Sequence, residues 1–72
     1  MPSMRGVVTI AQETRFQLVD DEGIAHLFVL GPMAGAEPDD LARLQAEQAR
    51  VRVRYARTRN LIAHRAERLE RI

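Results

Sequence analysis

Six consecutive residues, Arg50-Val51-Arg52-Val53-Arg54-Tyr55, alternate strictly between charged and apolar. A period of two is the mark of a strand with one wet face and one dry face. Val51, Val53 and Tyr55 therefore point into a core, and Arg50, Arg52 and Arg54 point out of it. The chain around this segment has to supply strands for it to pair with and a second layer to cover its dry side.

Seventy-two residues suffice for a single domain. A chain of this length buries only roughly 60% of the surface its unfolded form exposes, so its core is thin. There is no Cys, which excludes disulfides and thiolate metal sites. A reducing cytoplasm is the default compartment. Residues 1–4 carry nothing to anchor them and are expected to fray, leaving 5–72 as the domain. No leader pattern is seen in Met1 to Arg5. The longest apolar stretch, Ile24 to Leu30, is too short to span a bilayer and is broken by His26, so no membrane partner is expected.

Other strands are legible. Gly6 to Ala11 holds the β-branched run Val7-Val8-Thr9-Ile10, which favours a pleated surface. Gln12-Glu13-Thr14 forms a polar turn. Arg15 to Asp20 alternates, with Phe16 and Leu18 on one face and Arg15 and Gln17 on the other. Asp20-Asp21-Glu22-Gly23 predicts a tight hairpin, because Asp suits the early turn positions and Gly23 takes positive φ freely. Ile24 to Leu30 then reads as a third strand, apolar on both faces and suited to a doubly covered position.

Gly31 to Ala36 breaks the sheet. Pro38 and the acids that follow it predict a helix N-terminus capped by Asp39 or Asp40. The helix runs to about Ala49, with Leu41, Leu44 and Gln48 on one face. Arg57-Thr58-Arg59-Asn60 is turn-like. The tail reads two ways. Leu61-Ile62-Ala63 can open a fifth strand, whereas Ile62, Ala66 and Leu69 have helical spacing. A rival reading is one long helix, since Leu41, Leu44, Gln48, Val51, Tyr55, Ile62, Leu69 and Ile72 fall on heptad positions. Thr58 and Arg65 break that seam, and Val51 and Val53 disfavour a lone helix.

The expected fold is mainly β with one helix, in the order strand-strand-strand-helix-strand-strand, the last element strand or helix. That order resembles the oligonucleotide/oligosaccharide-binding (OB) fold, a small five-stranded barrel. The resemblance implies single-strand binding on the face of the second and third strands. Some residues are similar to cold-shock domains. Gly6-Val7-Val8 resembles their Gly-x-Val, and Thr14-Arg15-Phe16-Gln17-Leu18-Val19 resembles Lys-Gly-Phe-Gly-Phe-Ile. Leu27-Phe28-Val29-Leu30-Gly31 resembles Val-Phe-Val-His-Phe. Phe16 and Phe28 match, while Leu18, Leu30 and Gly31 stand where that family has two aromatics and a His.

Charge points in the same direction. All eleven basic residues are Arg. Before residue 43 there are two Arg and seven acids, a net of −5; from Arg43 onward there are nine Arg and three acids, a net of +6. Such a split suits either a polyanion partner or head-to-tail self-association. Arg50, Arg52 and Arg54, extended by Arg57 and Arg59, form a cationic row. Their spacing of about 6–7 Å approaches that of phosphates in an extended strand. Arg15 and Phe28 join them as candidate nucleic-acid contacts. Phe16 and Tyr55 pattern inward, and the arginine row also serves as a solvated face that deters edge pairing.

Other chemistries are disfavoured. His26 lies near Asp20, Asp21 and Glu22, but those acids occupy a turn that needs them and match no ligand spacing, so no metal is expected. Thr9, Thr14 and Thr58 lack evident His and carboxylate partners, and Ser3 is near the terminus. Gly31 to Gly35 lacks the Gly-Lys-Ser/Thr of a phosphate loop. The chain is expected to be a non-catalytic module without cofactor. It would bind single-stranded nucleic acid or, alternatively, a protein partner or its own copies.

Overall fold

A computed structural model describes residues 2–58 and 63–72. Five strands and one helix occur in the expected order: β1 (Ser3–Gln12), β2 (Arg15–Asp20), β3 (Ala25–Leu30), α1 (Pro38–Glu47), β4 (Arg50–Ala56) and β5 (His64–Arg71). The strands close into a barrel in the order β1-β2-β3-β5-β4. The long helix across residues 41–72 is overturned. The β-branched alternation of β4 satisfies a ladder on both sides, against β1 and β5.

The barrel interior collects the inward residues of every strand. Val8, Phe16, Leu18, Phe28, Val51, Val53, Tyr55, Ala66 and Leu69 are buried together, and Leu41 of α1 is fully covered against them. Each large apolar side chain so buried contributes roughly 1.5–3 kcal/mol. Phe16 stacks on Phe28 with centroids 5.3 Å apart, and Tyr55 meets Phe28 edge-on at 5.4 Å.

Two bulges decide which side chains face in. On β1 the register passes from Val8↔Leu18 to Ile10↔Gln17, leaving Thr9 without a partner. Ile10 is thereby turned outward, 51% exposed, while Val8 stays buried. On β5 the register passes from Arg54↔Arg68 to Tyr55↔Ala66, leaving Glu67 over. Ala66 and Leu69, three residues apart, therefore both face inward. The bulge gives a strand the apolar spacing of a helix, which is why the tail reads both ways in sequence. The proposed strand opening at Leu61 and Ile62 lies outside the described residues.

Several local expectations need correction. β1 begins at Ser3, ahead of the β-branched run: Ser3 pairs with Arg54 and Met4 with Val53, and the Tyr55 N–H donates to the Pro2 carbonyl at 3.0 Å. Residues 3 and 4 are thus tied into the ladder, and Met4 packs against the core. β3 is not doubly covered. Its inner face holds Phe28, but Leu27 on the outer face is 44% exposed because the single helix covers another side of the barrel. The helix is capped by Glu37, not by Asp39 or Asp40. Pro38 fixes the first turn, and Asp40, one turn in, accepts the Glu37 N–H at 2.8 Å. The helix stops at Glu47, where Gln48 adopts a left-handed conformation and is exposed, so it does not share the buried face of Leu41.

The hairpin at Asp20 forms as expected. Gly23 has φ +85°, and one Asp20 carboxylate oxygen accepts the N–H groups of Glu22 and Ile24, both at 2.9 Å. Gly6 meets a different demand. A Cβ there would lie 2.1 Å from the Val19 carbonyl oxygen, so only glycine lets β1 and β2 approach so closely.

Candidate nucleic-acid interface

The outside of the barrel carries the chemistry. Directly opposed residues on adjacent strands share a face, so the registers define rows across β1, β4 and β5. One row is Arg5, Arg52 and Glu70; the next is Ser3, Arg54 and Arg68; Arg50 lies opposite Val7. Neighbours within a row are about 4.5–5.5 Å apart at Cα, and successive outward residues along a strand about 6–7 Å. Five arginines and one glutamate therefore occupy one patch of three strands.

Ion pairs divide these arginines. Arg50 Nη2 reaches both oxygens of Asp21, at 2.7 and 2.6 Å, tying β4 to the β2–β3 hairpin. Arg52 shares Glu70 at 3.2 Å, and Arg65 binds its bulged neighbour Glu67 at 2.6 Å. Arg71 binds Glu47 on the helix. These pairs are substantially exposed, and each is worth about 0–1 kcal/mol. Among the described residues, Arg5, Arg15, Arg54, Arg57 and Arg68 have no carboxylate within ion-pair distance.

The sequence-predicted contacts are thus only partly brought together. Arg50, Arg52 and Arg54 line up on the outer face of β4, with Arg57 exposed just beyond its end. Arg59 lies outside the described residues. Arg15 is exposed on β2 opposite Val29, on the side where the OB resemblance puts a ligand. Phe28 does not join them. It is 1% exposed, held between Phe16 and Tyr55, and offers no face to a base. Phe16 and Tyr55 are equally inside, at 2% and 8% exposure.

Two residues of the patch, Arg5 and Arg68, escaped the sequence reading. Arg5 sits in a segment read as a loose end, although Ser3, Arg5 and Val7 alternate outward as a strand requires. Arg68 is hidden by the β5 bulge, which destroys the period of two. His64 is a third overlooked group. Its ring stacks on Tyr55 at 5.3 Å, and its Nδ1 is buried with no hydrogen-bond partner among the described residues.

The outer face of β2 and β3 is chemically different. Ile10, Gln17 and Leu27 form one row, and Val7, Val19 and Ala25 another. Ile10 and Leu27 are about half exposed, as is Ile24 at the hairpin.

The acids near His26 are engaged separately. Asp20 Oδ2 lies 2.8 Å from His26 Nε2, while Asp21 holds Arg50. The Asp20 carboxyl is held below its ordinary value, chiefly by the Ile24 N–H and next by the His26 side chain. Among the described residues no three His, Cys, Asp or Glu side chains come together as metal ligands. No helix among them is long and apolar enough to cross a membrane.

Comparison with known protein families, curated proteins and solved structures finds no match to this chain.

Proposed function

We propose that this protein is a non-catalytic module that binds single-stranded nucleic acid by its sugar-phosphate backbone. The surface is the arginine face of β4 and its neighbours, and the place of action is the cytoplasm. The observation that carries this reading is the excess of positive charge on three adjacent strands, where Arg5, Arg54 and Arg68 have no ion-paired acid among the described residues. Phosphates supply most of the affinity in sequence-independent binding, and arginine is suited to contact them. The buried state of Phe16, Phe28 and Tyr55 argues against base stacking of the kind that similarity to cold-shock domains implies. Backbone binding with little sequence preference is the form of the function that the surface supports.

Titration of a fluorescent oligothymidine with the protein tests this. With the arginine face neutralising about two phosphates, log affinity falls with log salt at a slope of about −1.4. That corresponds to about a 7-fold loss between 50 and 200 mM salt. Absence of binding by the unaltered protein at low salt rules the function out.

A second reading is favoured by the half-exposed Ile10 and Leu27 on β1–β3: a protein partner or a second copy covers that face. Sedimentation at several salt concentrations distinguishes the two, because an apolar contact survives salt and a phosphate contact does not.

A further inference from the structure

Arg54 and Arg68 stand directly opposite each other on β4 and β5. Like charges in that relation destabilise a sheet. The arrangement is unrelieved, because neither guanidinium has a carboxylate within ion-pair distance among the described residues. The three acids of the C-terminal half are close by in sequence but engaged elsewhere: Glu47 with Arg71, Glu67 with Arg65, Glu70 with Arg52.

The surroundings of Arg68 are also particular. The chain after β3 continues alongside β5: the Gly31 N–H donates to the Ala66 carbonyl, and the Leu69 N–H donates to the Ala34 carbonyl, both at 2.9 Å. This brings Gly35 beside Arg68. A Cβ at Gly35 would lie 3.6 Å from the Cζ of Arg68, so the guanidinium lies against a residue with no side chain and no charge. Ser3, on the other side of Arg54, is small and neutral. Arg54 and Arg68 thus have two small uncharged residues for neighbours, Ser3 opposite Arg54 and Gly35 beside the Arg68 guanidinium.

We infer that Arg54 and Arg68 together form a phosphate clamp, seating one phosphodiester of a single-stranded nucleic acid between them on the outer face of β4 and β5. Arg5 and Arg52, one row along, meet the next phosphate. This rests on the nucleic-acid reading above and deepens it. The strand is directed across β1, β4 and β5 and away from the apolar outer face of β2 and β3. A phosphate between the guanidiniums cancels their repulsion, so the pair is stabilised only when the ligand is bound.

The test compares Arg54→Gln, Arg68→Gln, the double variant, and Arg15→Gln on the β2–β3 face, using oligothymidine at 50 mM salt and across a salt series. Each single clamp variant is expected to lose about five- to tenfold in affinity with little change in salt slope, and the double variant to shallow that slope by about 0.7, the share of one phosphate. The double variant is expected to lose less than the product of the two singles, because both side chains hold one phosphate. Arg15→Gln is expected to bind as the unaltered protein does. Arg68→Gln is expected to raise the thermal midpoint, which also shows that the variant folds.

The clamp is overturned, with nucleic-acid binding intact, if the double variant binds normally or if Arg15→Gln is the variant that fails. It is also overturned if polyglutamate competes as well as the oligonucleotide, which makes the patch a general anion surface. Inorganic pyrophosphate supplies an independent reading: it should shift the Nε–H resonances of Arg54 and Arg68 more than that of Arg15. Failure of the unaltered protein to bind oligothymidine, with no such shift, removes both the clamp and the function it rests on.

Discussion

The barrel turns two unlike outer faces to solvent while sharing one interior. On β4 and its neighbours, the outward positions are Arg5, Arg50, Arg52, Arg54 and Arg68, with Glu70 among them. On β1–β3 they are mostly Val7, Ile10, Gln17, Val19, Leu27 and Val29, with Gln12 and a single arginine, Arg15, opposite one another at the end. Both faces are backed by the same packed residues, so stability does not dictate the difference. A strand needs only its inner face to be apolar. Outward arginine and outward leucine are both surplus to folding, and the contrast is informative about partners for that reason. The resemblance read from the order of elements implies a ligand on β2 and β3, whereas most outward arginines lie on β1, β4 and β5.

The largest effect is expected where the two faces share their support. Phe28→Ala removes a ring from the middle of the core, and a loss of about 3–5 kcal/mol is expected in denaturant unfolding. A loss below about 1 kcal/mol would show that Phe28 is not the common interior of both faces.

Charge reversal separates the faces themselves. Arg52→Glu with Arg54→Glu is expected to abolish oligothymidine binding at low salt, whereas Arg15→Glu leaves most of it. The reverse ranking transfers the site to β2–β3.

The hairpin between the faces gives a smaller effect, visible in acid. The Asp20 carboxyl is depressed in the folded chain from an ordinary value of 3.8, so its charged form is favoured by folding. Its contribution is present above that value and is lost as pH falls through the lower, folded-state value. Asp20→Asn should therefore lower the thermal midpoint at neutral pH and flatten its decline below about pH 4. An unchanged acid profile would mean that the turn contacts do not matter to stability.

The smallest effect belongs to the apolar face. Leu27→Thr should change stability by no more than about 0.5 kcal/mol and leave oligothymidine affinity unaltered. A change of sedimentation coefficient on this substitution points to a partner copy there.

Much of the fold is legible in the sequence because its signals are local. The Arg-Val alternation defines β4, Asp20 to Gly23 defines a hairpin, and Pro38 with its acids defines a helix start. What is illegible is caused by bulges and long-range pairing. Thr9 and Glu67 each add a residue to one strand, which flips Ile10 outward on β1 and spaces Ala66 and Leu69 like a helix. The site suffers more than the fold. Arg54 is plain from alternation, but its pairing with Arg68 depends on a register set across 14 positions of chain, which composition cannot reveal. Phe28 shows the converse limit. Both faces of its strand are apolar in sequence, and only the closure of the barrel determines that Phe28 is inside and Leu27 outside.

That closure has a kinetic side. β1, β2 and β3 form a meander whose hairpins need only short loops. The cylinder is completed by a parallel seam of three register pairs, Phe28 to Leu30 against His64 to Ala66, between residues 36 positions apart. Joining distant segments costs more loop entropy than zipping a hairpin, and non-local contacts form late. The hairpins are therefore expected to form before the two long-range ladders that close the barrel, β3 with β5 and β1 with β4. Among the described residues the β3–β5 seam is the shortest ladder of the barrel, with β5 of the arginine face on one lip and β3 of the more apolar face on the other.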